Sequence, residues 1–406
     1  MPQKEENKTD IFATKLAVAP LKLLVMPNIK ELGDKIDQYL VDFRKERFPE
    51  GINDPEHQGY MADSYQTGFS VPRFGSGEGK AVLGESIRGK DLYILTDVIN
   101  YSMTYEMNGF RNRYSPDDHY QDLKRVIAAV GGKAHRITVV MPFMYESRQH
   151  KRSSRESLDC AMMIEELSDM GVSDLMTFDA HDPSVQAAAP LCGFDNFTPF
   201  YQFIRALLKS EDDLMIDAEH VVVISPDEGA LNRAIYFASV LGVDTGMFYK
   251  RRDYAHIVDG KNPIVAHEFL GDSIEGKDVI IVDDMISTGG SMLDTARQLK
   301  EMKANRVFIC CTFGLFTEGL EMFDEAFEKG YFDRIITTNL HYRRPELLTR
   351  EWYLQADMSK LIAQIIDYSN HDVSMDKVVT PTEKIREILS SYNEHVDNTE
   401  RQGADE

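Results

Sequence analysis

The chain has 406 residues and a net charge of −22, with 67 acidic residues against 45 basic ones. This acidity argues against nucleic acid and anionic membrane surfaces as partners, because both would repel a negative protein. A hydrophobic content of 43% is normal for a soluble globular protein, and the length is sufficient for two domains with real cores. A phosphorylated ligand would therefore need local clusters of basic residues.

The N-terminal sequence and the cysteine usage predict a cytoplasmic location. The chain starts MPQKEENKTD, which does not read as a signal peptide, and its first apolar run is interrupted by Pro20 and Lys22. Its four cysteines form neither a disulfide framework nor a CxxC motif. We therefore expect a reducing compartment, no membrane segment and a loosely ordered N-terminal end over residues 1–16.

Apolar runs of strand length alternate with helical patterns along the chain. Strands are predicted at residues 22–26, 92–96, 137–141, 175–178, 221–224, 246–249, 279–282, 306–312 and 334–339. Helices are predicted at residues 29–44, 121–130 and 358–368. This alternation indicates α/β architecture with parallel sheets. Residues 45–67 are predicted to be irregular, and residues 376–406 to form a short helical pattern followed by a frayed acidic end.

A Gly-rich segment, FGSGEGK from Phe74 to Lys80, lies between the first two predicted strands. Its spacing fits neither GxGxxG before a helix nor GxxxxGK[ST], so nucleotide-binding loops of those kinds are absent from the sequence. On its residues alone, the segment indicates a turn between two strands.

Three predicted strands are followed by side chains that suit a phosphate or a metal. Arg148 and Gln149 follow residues 137–141 in the segment YESRQHKR, His181 follows residues 175–178, and Asp227 follows residues 221–224. Cations neutralise polyphosphate, and an amide bonds a base or a phosphate oxygen. A solvated charge run and a structural histidine are the alternatives.

Three consecutive cations, Lys250, Arg251 and Arg252, follow the strand predicted at 246–249. An exposed loop is the simplest interpretation. The alternative is a mobile clamp that neutralises charge on a phosphorus atom under attack.

The most informative stretch is DVIIVDDMISTGGSMLDTARQ, from Asp278 to Gln298. Residues 279–282 predict a strand buried on both faces, with Asp283 and Asp284 at its carboxyl end. A Ser/Thr/Gly turn follows, and a helix is predicted from Met292. Backbone N–H groups at such a turn bind an anion, and two carboxylates suit ribose hydroxyls or hydrated Mg²⁺. A polar turn with an ordinary N-cap is the alternative.

These segments together resemble the ribose-phosphate pyrophosphokinase family, the synthetases of phosphoribosyl pyrophosphate (PRPP). The doubled Asp before Ser-Thr-Gly-Gly-Ser is similar to the PRPP motif that these enzymes share with phosphoribosyltransferases. The Phe74 segment and the cations from Lys250 are similar to synthetase segments, and transferases lack such a cationic loop. The resemblance covers about residues 22–375.

The resemblance implies a role for each matched position. The catalytic residues would be Lys250 and Arg252. The ATP-binding residues, of which the first three would contact an adenine held mainly by the neighbouring subunit, would be Phe74, Ser76, Glu78, Arg148 and Gln149. The ribose 5-phosphate-binding residues would be Asp283, Asp284, Ser287, Thr288, Gly289, Gly290 and Ser291. The contacts to Mg²⁺, the implied cofactor, would be His181 and Asp227.

The implied fold consists of two similar doubly wound parallel-sheet domains of the phosphoribosyltransferase type. Residues 17–200 would form the ATP-side domain and residues 201–345 the ribose 5-phosphate-binding domain. Residues 346–375 would form a helical segment that packs back on the first domain, before an acidic tail at 376–406. The family's active site lies between the domains and is completed by a neighbour. A homo-oligomer built from dimers, of hexamer size, is therefore implied.

The implied activity is that of a ribose-phosphate diphosphokinase, with ATP and ribose 5-phosphate as substrates. Two alternatives remain open. A phosphoribosyltransferase would share the PRPP motif but would not need ATP-site segments. A non-enzymatic regulatory partner of a synthetase is compatible with four departures from the family pattern, namely Ser76, His150, Ala230 and Ser287.

Overall fold

The computed structural model describes residues 15–51, 59–152, 154–252, 264–380 and 382–404. The chain divides into two compact units. The first comprises the described residues up to Phe197, together with Leu340–Tyr342 and Met358–Val379. The second comprises Thr198–Asn339, Arg343–Asp357 and the described residues from Thr380 onward.

Strands and helices alternate along the described ranges. The strands are β1 (Leu21–Val25), β2 (Phe69–Ser70), β3 (Val82–Leu83), β4 (Asp91–Leu95), β5 (Thr104–Met107), β6 (Phe110–Arg113), β7 (Arg136–Val140), β8 (Asp174–Phe178), β9 (Gly193–Phe197), β10 (Val221–Ser225), β11 (Asp244–Arg252), β12 (Ile264–Leu270), β13 (Asp278–Ile286), β14 (Val307–Gly314), β15 (Arg334–Thr338) and β16 (Tyr353–Ala356). The helices are α1 (Lys30–Arg47), α2 (Pro116–Val130), α3 (Asp159–Asp169), α4 (Phe200–Ser210), α5 (Leu231–Leu241), α6 (Gly290–Glu301), α7 (Glu321–Glu328), α8 (Ser359–Asn370), α9 (Asp376–Val379) and α10 (Thr382–Ala404).

The first unit is built on a parallel sheet with the order β1-β4-β7-β8-β9. Every residue of β4 is buried, as expected of a central strand covered on both faces. The carboxyl ends of parallel strands share one edge, so the segments after β7 and β8 emerge on the same side. Two antiparallel hairpins, β2–β3 and β5–β6, lie outside this sheet.

Helix α8 completes the first unit although it lies far along the chain. It packs against α1, where the guanidinium of Arg44 is fully buried. Arg44 Nη2 donates to Asn370 Oδ1 at 2.7 Å, and Asp367 lies 3.4 Å from Arg44 Nε and 2.8 Å from Arg47 Nη2. A buried charge needs such partners, so these polar contacts specify how α8 docks.

The second unit has a sheet with the order β12-β11-β10-β13-β14-β15-β16. All pairings are parallel except that between β11 and β12. Alternate residues of β13 enter cores on opposite faces: Val279 and Ile281 on one, Ile280 and Val282 on the other. The predicted α/β class with parallel sheets is thereby confirmed. Among the residues described, no helix is long and apolar enough to cross a membrane.

Two predictions from the sequence are wrong in detail. Strand β13 does not stop at Val282; it continues through Asp283 and Asp284 to Ile286, because β14 is long enough to pair with it as far as Gly314. Helix α6 accordingly begins at Gly290 and not at Met292. This extension depends on pairing with β14, and two consecutive carboxylates in the sequence do not indicate that a strand continues.

The frayed acidic end predicted to follow a short helical pattern within residues 376–406 is also wrong, because α10 extends through most of this range. Ile385, Leu389 and Val396 of this helix are buried, and the first two belong to the core that also contains residues of α4 and α5. Their spacing places them on one face of the helix. The many polar residues around them make this apolar face hard to recognise in the sequence.

Replacing Ile385 by Ala should destabilise the second unit. Its side chain is 1% exposed, and truncating a buried Ile typically costs about 2–5 kcal/mol. We expect a clear fall of the melting temperature by calorimetry, whereas the exposed Glu387→Ala should change it little. An Ile385→Ala protein with wild-type melting behaviour would mean that α10 does not contribute to this core.

Candidate active site

The second sheet has a reversal of strand order at its centre. Strand β10 has β11 on one side and β13 on the other, although β11 and β13 both follow it along the chain. In open parallel sheets, a crevice forms at the carboxyl ends of the strands on either side of such a point. Asp227 follows β10, and Asp283 and Asp284 lie near the carboxyl end of β13. The topology therefore brings these three carboxylates to one edge.

Asp283 and Asp284 are held in a crowded, largely dry environment. Asp283 Oδ1 accepts a hydrogen bond from the backbone N–H of Asp284 at 2.8 Å and lies 3.6 Å from Arg233 Nη1. Asp284 is buried. Burial, and then the charge of Asp284, raise the pKa of Asp283 well above its ordinary value, while Arg233 opposes the shift and Asp227 adds to it. A bound cation or hydroxyl donors would stabilise these two carboxylates.

The loop after β13 leads into the first turn of α6. The N–H groups of Leu315 and Thr317 donate to the carbonyls of Ile286 and Ser287, at 2.8 and 3.0 Å, and these bonds hold the start of the loop. Thr288, Gly290 and Ser291 are exposed, so the first turn of α6 is accessible to an anion.

Gly289 is the residue in this loop that no other amino acid can replace without strain. Its φ of +97° lies in the left-handed region, and an added Cβ would stand 2.1 Å from Cζ of Phe323. The loop is therefore seated directly on the ring of a core residue of α7.

The backbone of Lys250 and Arg252 lies at the end of β11. Opposite them in the antiparallel pair stand His267 and Ile264, and the register shifts between Arg251 and Arg252. The strand thus extends beyond residue 249, where a loop was predicted. The side chains of Lys250 and Arg252 lie outside the described residues, so their predicted catalytic role stays a prediction.

In the first unit, the segments after β7 and β8 come together. Glu146 and Asp179 have φ values of +53° and +45°, and each introduces a sharp turn beyond its strand. Arg148 is exposed, and Gln149 Nε2 donates to the carbonyl of Ser157 at 2.8 Å. The ring of His181 lies 5.2 Å from that of His150, centroid to centroid.

His150 in turn lies beside a carboxylate that sequence reasoning missed. Its Nε2 is 3.5 Å from Asp182 Oδ2. Hydrogen bonds from the side chain and backbone of Ser184 lower the pKa of Asp182, with smaller contributions from His150 and Lys151. In the sequence, its position next to His181 in the segment FDAHD could have drawn attention to Asp182. Arg233, at 3.6 Å from Asp283, was also missed, because nothing in its own helical pattern marks it.

The segment from Phe74 to Lys80 forms the tight turn that was predicted. The N–H of Phe74 donates to the carbonyl of Glu78 at 2.7 Å, and that of Gly77 to the carbonyl of Phe74 at 2.8 Å. The Phe74 side chain is 53% exposed, and Ser76 Oγ donates to Glu78 Oε2 at 2.8 Å. The tip therefore presents an aromatic face beside a carboxylate.

The described residues contain no group of three or more His, Cys, Asp or Glu side chains arranged to hold a metal. The two predicted contacts, His181 and Asp227, belong to different units. The donors of the second unit are carboxylate oxygens next to the Ser287–Ser291 loop. That donor set fits Mg²⁺, which commonly takes one or two carboxylates and completes its shell with water and substrate phosphate.

An open parallel sheet with two carboxylates and a Gly/Ser/Thr loop at its reversal point defines an α/β protein of the phosphoribosyl-binding class. Residues 21–171 match the N-terminal domain of ribose phosphate pyrophosphokinase, and residues 194–339 match the phosphoribosyl transferase domain. The predicted fold, with two parallel-sheet α/β domains of the phosphoribosyltransferase type, is thus confirmed.

Relatives and a solved structure agree with this class. The chain is 30% identical over 309 residues to a ribose-phosphate pyrophosphokinase of Shewanella oneidensis, covering 75% of this chain and 88% of the relative. It is 29% identical over 310 residues to one of Vibrio cholerae, covering 75% and 89%. A phosphoribosylpyrophosphate synthetase from Mycobacterium smegmatis has a similar fold, with a TM-score of 0.65 and 21% identity over 86% of this chain and 98% of the other. The chain belongs to the ribose-phosphate pyrophosphokinase family.

Gly289→Ala should damage the loop while Gly290→Ala should not. The first variant forces a side chain into Phe323 at a positive φ, whereas a Cβ at Gly290 meets no atom within 4 Å. We expect the first to weaken ribose 5-phosphate binding at least tenfold and the second to stay near wild type, measured by calorimetric titration. Equal affinities in the two variants would contradict the proposed seating of the loop.

Asp283→Asn should stabilise the ligand-free protein at neutral pH. The raised pKa of Asp283 means that the unfolded chain loses this proton at a lower pH than the folded one. The ionised carboxylate therefore opposes folding above its unfolded pKa of about 3.9, by roughly 1.4 kcal/mol for every tenfold weakening of its acidity in the folded protein.

In a chelator-containing buffer at pH 7, we expect the melting temperature of Asp283→Asn to exceed that of the wild type. The difference should vanish as the pH falls below the unfolded pKa. The exposed Asp272→Asn serves as the control and should show no such pH-dependent gain. A lower melting temperature for Asp283→Asn at pH 7 would contradict the assigned burial of charge.

Proposed function

We propose that this chain is a ribose-phosphate diphosphokinase, which transfers the diphosphoryl group of ATP to ribose 5-phosphate. The observation that carries the proposal is the meeting of Asp227, Asp283 and Asp284 with the Ser287–Ser291 loop at the reversal point of the second sheet, in a member of this family. The anomeric hydroxyl of ribose 5-phosphate attacks the β-phosphorus of ATP. The bond from this phosphorus to the α-phosphate oxygen breaks, and PRPP and AMP result.

The second unit would bind ribose 5-phosphate. The N–H groups of the first turn of α6 and the hydroxyls of the loop would bind the 5-phosphate. The carboxylates of Asp283 and Asp284 would accept hydrogen bonds from the ribose 2- and 3-hydroxyls. A diol satisfies crowded carboxylates without adding negative charge, which fits the raised pKa of Asp283.

The first unit would bind ATP. Phe74, Ser76 and Glu78 would recognise the adenine, with Arg148 and Gln149 contacting the nucleotide. The Gln149 amide would first have to release the carbonyl of Ser157. We further propose a cytoplasmic homo-oligomer built from dimers, in which the Phe74 turn serves the site of a neighbouring subunit.

Phosphoryl transfer of this kind depends on positioning and charge neutralisation more than on a protein nucleophile. Lys250 and Arg252 would stabilise the negative charge that develops on the transferring group. Bound Mg²⁺, contacted by His181 and Asp227, would neutralise the ATP phosphates. No residue is assigned as a covalent catalyst.

Purified protein supplied with ATP, ribose 5-phosphate and Mg²⁺ should release AMP and PRPP in equal amounts. Lys250→Ala should lower the turnover number by orders of magnitude with little change in substrate affinity, because its charge acts mainly in the transition state. Arg251→Ala, which alters the cation between the two assigned ones, is the matched control and should be milder.

The outcome separates the proposal from its alternatives. Binding of ATP and ribose 5-phosphate without AMP release would favour a regulatory partner of an active synthetase. Reaction of PRPP with a nucleobase, without any use of ATP, would favour a phosphoribosyltransferase.

A further inference from the structure

The hairpin of β5 and β6 is a feature that the proposed reaction does not use. Asn108 and Gly109 at its tip have φ values of +52° and +80°, the left-handed pair that a tight two-residue turn requires. A two-stranded hairpin is at most marginally stable by itself, so its contacts with the rest of the first unit decide its conformation.

The hairpin tip contacts the turn that carries Phe74 and Glu78. The N–H of Asn108 donates to the carbonyl of Gly75 at 2.8 Å, which joins the two tips through their backbones. The Met107 side chain packs beside Gly77, where an added Cβ would stand 2.6 Å from Met107 Sδ. Gly77 has a φ of +92°, so the absence of a side chain serves both the backbone conformation and this close approach.

A second contact holds the base of the same turn. Arg73, the residue before Phe74, pairs with Gly79 across the turn. Its guanidinium lies 5.1 Å from the ring centroids of both Tyr105, on β5, and Tyr114. The two rings contact each other edge to face, with centroids 5.0 Å apart.

The Arg73 guanidinium is also anchored to helix α2. Its Nη2 lies 3.0 Å from Asp122 Oδ2, and its side chain is only 7% exposed. Asp122 also pairs with Arg125 at 2.6 Å, and both guanidinium groups approach within 2.9 Å of where a Cβ of Gly79 would stand. The turn is thus clamped at its tip by the hairpin and at its base by this cluster.

We propose that the hairpin Thr104–Arg113 is a positioning element that holds the Phe74 turn ready for the adenine of ATP, acting through Tyr105 on Arg73 and through Met107 and Asn108 on the tip. The inference rests on the proposed ATP role of Phe74 and Glu78. A tip that had to be ordered on binding would cost affinity, and a clamp present before binding removes that cost. In this proposal Tyr105 and Arg73 act on the nucleotide only through the turn, so their effect belongs to the affinity for ATP and not to the chemical step.

The test compares Tyr105→Ala with the conservative Tyr105→Phe, which keeps the ring against Arg73. Phe110→Ala is the matched control: it removes an aromatic ring from the same hairpin at a position that is 72% exposed. Each purified, full-length variant is assayed for the KM of ATP, the KM of ribose 5-phosphate and kcat. ATP binding is also titrated calorimetrically without ribose 5-phosphate.

We expect Tyr105→Ala to weaken ATP binding and raise its KM about five- to tenfold, which corresponds to the loss of one partly buried cation–π contact. Its kcat at saturating ATP and its KM for ribose 5-phosphate should stay within about twofold of wild type. Tyr105→Phe removes only the hydroxyl's bond to Asp118 and should stay close to wild type, and Phe110→Ala should behave as wild type. If Tyr105→Ala does not fold, Tyr105→Leu fills the space without a π-face and carries the same expectation.

Amide hydrogen exchange supplies a readout that is independent of activity. In the ligand-free wild type, the N–H of Asn108 should be protected by its bond to Gly75, and Tyr105→Ala should reduce this protection. Unchanged exchange together with wild-type ATP affinity in Tyr105→Ala would overturn the inference. So would a uniform loss of kcat and of affinity for both substrates, which would indicate a general structural role.

Phe74→Ala, measured in parallel, separates this inference from the proposed function. If Phe74→Ala weakens ATP binding and Tyr105→Ala does not, only the positioning role fails. If Phe74→Ala leaves ATP binding unchanged, the adenine assignment fails and the inference falls with it.

Discussion

The burial of β13 on both faces, between β10 and β14, is the constraint on which the candidate site depends. Each face of the strand enters a separate apolar core, so neither its register nor its direction can shift without exposing one of them. The long pairing with β14 then extends the strand through Asp283 and Asp284. The strand thus holds two acidic residues in a rigid and partly dry position, where the pKa of Asp283 is strongly raised. A ligand that relieves this repulsion is favoured, which links the packing of the sheet to binding.

The same arrangement suits the proposed binding of anionic substrates by a chain of net charge −22. Binding does not require a positive protein; it requires local donors that are fixed before the ligand arrives. The backbone N–H groups in the first turn of α6 are neutral and have a fixed orientation. Gly289 has no side chain, so the loop before these groups can pack directly against the ring of Phe323. The exposed Arg148 adds charge in the other unit. Because screening weakens exposed charges, oriented backbone dipoles close to the phosphate are well suited to such a protein.

The first unit also holds some of its segments rigidly, but there buried polar contacts contribute more than apolar packing does. Arg44 and Arg73 are both almost completely shielded from solvent, and each is satisfied by carboxylates and tyrosine rings. One such cluster fastens the distant helix α8 to α1, and the other clamps the Phe74 turn. Removing either arginine would take a charge partner from a buried carboxylate, so both clusters specify a single arrangement of the segments around them.

The sequence by itself determined the buried central strands, their parallel class and the local chemistry at their ends. Runs such as VVVIS at β10 and DVIIV at β13 are readable because burial on both faces demands consecutive apolar residues. The clustering of Asp227 with Asp283 follows from strand ends sharing an edge. Tertiary structure alone decided the extension of β13 past its apolar run, the pairing of Arg233 with Asp283, the ordering of α10 and the contact between the β5–β6 hairpin and the Phe74 turn. Each of these depends on a partner far along the chain, and a local pattern records a residue's preference for burial or exposure but not the identity of that partner.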